Sequence, residues 1–83
     1  MELKDTITGM TSPDYKERFK AEYKQIKIRH DKLEDMLIKH DKGELDFVPT
    51  CPIDVLKDQL SIMESYLGVL LARAHHEGIN LYD

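Results

Sequence analysis

The chain has 83 residues, a formal net charge of −4 and a single cysteine, Cys51. That length holds one domain at most and buries too little surface for a lone core to be secure; one cysteine excludes an intramolecular disulfide and a Cys-based zinc site. The acidic balance argues against broad binding to DNA or RNA, and no segment reaches the roughly 20 apolar residues of a bilayer span.

Residues 1–11 hold Leu3, Ile7 and Met10 among Thr6, Thr8, Gly9 and Thr11, and read as an arm or a single short helical turn. Met1-Glu2-Leu3-Lys4-Asp5 has no apolar run of the kind a signal peptide carries, so the expected setting is reducing and cytoplasmic. Ser12-Pro13-Asp14 is a helix start: Ser12 as cap, Pro13 in the first turn, Asp14 complementing the helix dipole. The next glycine or proline is Gly43, suited to the position just past a helix end, so the spacing predicts a helix over 13–42.

That segment carries nine of the chain's twelve Lys and Arg and sums to +2, leaving −6 for the remainder. Most of these charges fit a solvated helix face. Its apolar stripe reads as Tyr15, Phe19, Ile26, Leu33 and Met36 or Leu37, with Glu22 and Arg29 inside it; Tyr23, Ile28, His30, Ile38 and His40 fall on other faces. A polar residue inside such a stripe sets register or lines a ligand site.

The loop, 43–51, contains Leu45, Phe47 and Val48, too apolar for a free linker, and is expected to fold back over the end of the helix pair. Pro52 opens a second helix over 52–77, ended by Gly78. Ile53, Leu56, Leu60, Met63, Leu67, Leu70 and Ala74 follow alternating three- and four-residue steps, a heptad seam, and Ile62, Tyr66 and Val69 form a second apolar row beside it. One partner helix cannot cover both rows. Gly68 weakens the helix by about 1 kcal/mol, a cost that close approach of another backbone offsets. In the tail, 78–83, Ile79, Leu81 and Tyr82 are apolar enough to dock on a neighbour. The expected fold is therefore all-α: a single helical domain, a hairpin of two long helices with a short N-terminal arm or helix, assembling into a symmetric oligomer.

The chemistry-bearing residues argue against an enzyme. His75 and His76 point about 100° apart on a helix and cannot chelate one ion together; placed near a helix C-terminus they complement its dipole. Cys51 has no matching base nearby in sequence, and there is no phosphate-cradling glycine loop. No metal site and no cofactor are expected. Binding is what remains. Tyr15 can stack on a nucleobase, and Arg29 and Lys32 can meet phosphate. Tyr15 and Arg29 lie about 21 Å apart on one helix, too far for one small ligand, so they converge only between antiparallel copies of the chain. The alternative is that Tyr15 is a core aromatic and Arg29 pairs with a neighbour's carboxylate.

The pattern Tyr15-x-x-Arg18-Phe19-x-x-Glu22, then Lys32-Leu33, then Leu56-x-x-Gln59-Leu60-x-x-Met63-x-x-Tyr66-x-x-x-Leu70-x-x-Arg73 resembles a family of small helical phage proteins, the anti-CBASS cyclic-oligonucleotide sponges, over residues 13–76. The resemblance implies a hexamer that holds cyclic dinucleotides, and in some members cyclic trinucleotides, between protomers without cleaving them. Capture starves the host's nucleotide-activated effector. It also implies Tyr15, Arg29 or Lys32, and Arg73 as nucleotide-binding residues. Two other readings stand beside it: a protein-binding antidefence inhibitor of the anti-CRISPR kind, using the acidic remainder, and a purely structural oligomerisation module.

Overall fold

In the computed structural model, which describes residues 1–82, a 3-10 turn at Leu3–Thr6 passes directly into α1 (Ile7–Met10). These turns pack on the first long helix, α2 (Tyr15–Asp41), instead of trailing as an arm. Two small residues make the approach possible. A Cβ added to Gly9 would lie 2.9 Å from that of Ala21, which is buried. Thr6 is buried as well, and its hydroxyl donates to the Leu3 carbonyl at 2.7 Å.

The start of α2 is set by Asp14, whose side chain accepts from the Lys16 N–H at 2.9 Å; Ser12 acts one step earlier, its Oγ accepting from the Asp14 N–H at 3.1 Å. Pro13 explains the shift, since the residue before a proline is held away from helical geometry. Both long helices end on a glycine with positive φ, Gly43 at 72° and Gly78 at 67°, which a side chain would strain. Beyond each, an N–H reaches back five residues: Glu44 to the Lys39 carbonyl at 2.8 Å and Ile79 to that of Ala74 at 2.9 Å.

The second long helix, α3 (Ile53–Glu77), runs antiparallel to α2, with Lys57 against Asp41 at one end and Arg73 against Tyr15 at the other. Its seven seam residues, Ile53, Leu56, Leu60, Met63, Leu67, Leu70 and Ala74, are the residues of α3 withdrawn from solvent; every other position on it is exposed. On α2 the register differs from expectation. The inward line is Phe19, Tyr23, Ile26, His30, Leu33 and Leu37, so Tyr23 and His30 take places read as Glu22 and Arg29. Continuing Tyr15 in seven-residue steps would put two charges in the interface. Rotating the helix by one position buries an aromatic and an imidazole instead, and leaves Tyr15 at the rim.

The main apolar cluster joins Phe19, Tyr23, Leu67, Leu70, Ala74, Ile79 and Leu81, with Ile26 against it. Ile79 and Leu81 thus correct the expected docking of the tail on a neighbour: the turn after Gly78 folds them onto their own chain. The loop lies back along α2 only in part: Leu45 is half-buried and Phe47 shares a hollow with Met36, while Phe47 and Val48 remain 53 % and 90 % exposed.

A second apolar row remains uncovered on α3: Val55, Ile62, Tyr66 and Val69 are all exposed. Gly68 lies about a third of a turn from Ile62, and nothing of the chain lies within 4 Å of a Cβ placed there. Among the described residues no backbone outside its own helix approaches it. Gly68→Ala is therefore expected to raise stability by about 1 kcal/mol, read as a higher denaturation midpoint. A loss of stability would show that another chain packs on this spot.

Candidate functional site

The antiparallel pairing brings the start of α2 against the end of α3, and there Tyr15, Phe19, Arg73 and Glu77 form one cluster. The Tyr15 hydroxyl donates to Glu77 Oε1 and accepts from Arg73 Nη2 at 3.0 Å. Arg73 Nε donates to Glu77 Oε2 at 3.0 Å, an i,i+4 pair on α3. The guanidinium lies 4.8 Å over the Phe19 ring, within cation–π range, and the Tyr15 ring sits tilted beside Phe19 at 6.4 Å. Phe19 is 3 % exposed and Tyr15 45 %, so the first is the floor of the cluster and the second its wall. Tyr15 is not a core aromatic.

The electrostatics follow from Glu77. Hydrogen bonding by Tyr15, with Arg73 adding to it, holds the Glu77 carboxyl below the usual carboxylate range. The same carboxylate pushes the Tyr15 phenol and the Arg73 guanidinium up, so Arg73 is cationic and Tyr15 neutral throughout the physiological range. The two bonds that Arg73 makes leave three of the five N–H donors of a guanidinium for another acceptor. A stacking face beside an anion-binding fork is what this end of the molecule offers.

Arg29 and Lys32 lie elsewhere. They share a hollow of about 260 Å³ with Leu3, Leu33, Gln59 and Met63, where the N-terminal turn, α2 and α3 come together. Neither is engaged by a carboxylate among the described residues. Within one chain the structure joins Tyr15 to Arg73 and Arg29 to Lys32, and keeps the two pairs 14 residues apart along α2, or about 21 Å. A larger hollow of about 390 Å³ between α2 and the loop also includes Lys32, but Asp35, Glu44 and Asp46 outnumber its two lysines. That lining suits a polyanion poorly.

Residues 13–76 match the family described as Sequestin. The chain belongs to that family. The match spans both long helices and contains Tyr15, Arg29, Lys32 and Arg73, while Glu77 and the N-terminal turns fall outside it. The family's name fits the cyclic-oligonucleotide sponges that the helix motifs resemble. No curated protein and no solved structure matches the chain.

Sequence reasoning passed over Glu77 and Glu64, and named Glu22 without its partner. Glu77 was legible as the i+4 partner of Arg73. Glu22, the acceptor of the Tyr66 hydroxyl, and Glu64, which meets His30, arrive from opposite helices, and no spacing within one helix announces them.

Proposed function

We propose that the protein sequesters cyclic oligonucleotide second messengers, cyclic dinucleotides and also trinucleotides, in clefts between copies of itself and holds them uncleaved. In this reading it acts in the cytoplasm of an infected host cell and protects a phage by depriving a nucleotide-activated effector of its signal. The observation that carries the reading is the Tyr15–Arg73 pair: an exposed ring and a guanidinium with spare donors, side by side within the Sequestin stretch. A nucleobase stacks on the one and a phosphate accepts from the other.

Association of copies supplies the rest of the pocket. Arg29 and Lys32 are too distant to serve the same ligand within one chain, and antiparallel packing of two copies puts one chain's pair opposite the other's Tyr15. The exposed row Val55, Ile62, Tyr66 and Val69 is the surface that drives such packing, and the family resemblance implies that it closes as a hexamer. Ligand caged in this way is removed from solution without any bond being broken.

A panel of cyclic di- and trinucleotides in a melting assay tests the reading. A ligand at 100 times its Kd adds about 2.7 kcal/mol per site, a large shift for a chain this small. Tyr15→Ala and Arg73→Ala are each expected to weaken binding about tenfold to a hundredfold, with the subunit count in native mass spectrometry unchanged. No shift with any member of the panel overturns the proposal.

A further inference from the structure

Midway along the helix pair, the α2 seam is occupied by a polar side chain, His30, which is 8 % exposed. Its Nδ1 lies 2.9 Å from Oδ1 of Asp31, and the same carboxylate oxygen takes Lys27 Nζ at 3.0 Å. A carboxylate only accepts, so Nδ1 carries the proton and the neutral ring presents its lone pair at Nε2. That nitrogen is buried without a hydrogen-bond partner. It faces two carboxylates: Glu64 Oε1 from α3 at 3.4 Å, and Glu34 Oε2 one turn on in α2 at 4.0 Å. A lone pair that faces two carboxylates is repelled unless a cation, either a proton on Nε2 or a metal ion, lies between them.

We propose that His30 Nε2, Glu34 and Glu64 bind a divalent transition-metal ion that pins α2 to α3. The spacing supports it. His30 and Glu34 stand four residues apart on one helix face, the arrangement that lets two side chains of a helix reach one ion, and Glu64 closes the set from the other helix. Imidazole and carboxylate bind zinc at about 2.0–2.2 Å, which places two ligands of a tetrahedral ion about 3.4 Å from each other. The Nε2 to Glu64 separation is 3.4 Å; Glu34, at 4.0 Å from Nε2, and Glu64 must swing towards each other, which their half-exposed side chains allow. The Asp31 bond to Nδ1 is the outer carboxylate that orients a metal-binding histidine and raises its basicity. Side chains of Glu34 and Glu64 are 47 % and 57 % exposed, so an ion enters from solvent and keeps water in its remaining position. This site is independent of the cluster at Tyr15 and needs no nucleotide.

The test titrates the full chain, stripped with chelator, with Zn²⁺ by calorimetry and with Co²⁺ by visible absorption, whose d–d bands report an N/O ligand set. About one ion per chain is expected, with a rise in melting temperature. Glu34→Gln and Glu64→Gln alter exposed side chains and leave the fold intact. Each is expected to weaken Zn²⁺ binding tenfold or more and to change the Co²⁺ spectrum. His75→Ala with His76→Ala removes the adjacent histidines at the end of α3 and is expected to leave the affinity as it was. Absence of binding, wild-type affinity in either Gln variant, or loss of binding in the paired Ala variant overturns the proposal.

Discussion

Leu70→Ala is expected to remove about 3–4 kcal/mol of stability. Leu70 is 1 % exposed and sits among Phe19, Leu67, Ala74, Ile79 and Leu81, drawn from both helices and the tail. The tail turn that carries Ile79 and Leu81 closes only part of the space, because both long helices hold the rest, so a cavity term adds to the lost transfer energy. Domains of this size hold about 5–10 kcal/mol in total. At about 4–8 °C per kcal/mol, the melting temperature should fall by about 15–25 °C. The neighbouring Leu71 is 42 % exposed, and Leu71→Ala should change stability by less than about 1 kcal/mol. Equal effects at the two positions would show that the core has been placed on the wrong face of α3.

The contrast between the two helices explains what the sequence made legible. On α3 the seam is purely apolar, so its seven-residue rhythm has a single solution, and the residues withdrawn from solvent are the seven it names, three of them fully buried. On α2 the inward line mixes Phe19 and Leu37 with Tyr23 and His30, side chains that serve equally well at a surface. Periodicity alone could not choose between two registers one residue apart. What chose was tertiary: the tail brings Ile79 and Leu81 over Tyr23's neighbourhood, and Ala21 must face outward to admit Gly9. Both contacts join residues whose separation in the chain says nothing about their meeting.

The same distinction governs the candidate site. Tyr15 and Arg73 are 58 residues apart, yet they meet because antiparallel helices of nearly equal length, 27 and 25 residues, bring their outer ends level. Helix lengths follow from the stop signals at Gly43 and Gly78, so this encounter was implicit in the sequence. The His30 and Glu64 encounter was not, since it depends on the α2 register that periodicity left open. Sites at the ends of a helix pair are easier to read than sites along its middle.

Ile62→Glu is expected to turn the proposed assembly into monomers while leaving each chain folded. Ile62 is 69 % exposed, so in a single chain the change touches nothing packed, and Glu is the better helix former. Circular dichroism should be unaltered. If copies meet along Val55, Ile62, Tyr66 and Val69, the same carboxylate enters an apolar contact without a partner, costing about 3–5 kcal/mol at each interface it touches. Native mass spectrometry at micromolar concentration then reads one subunit in place of the wild-type assembly. Val48→Glu is the control, more exposed still but in the loop and away from the row, and should leave the assembly as it was. The informative step is to add the cyclic nucleotide. Tyr15 and Arg73 are untouched in Ile62→Glu, so a pocket held within one chain would still respond, whereas a cleft between copies disappears with the contact that forms it. Loss of assembly and of ligand response together is the expected result. Dissociation with full response retained would move the pocket into the single chain and leave Arg29 and Lys32 without a part in it.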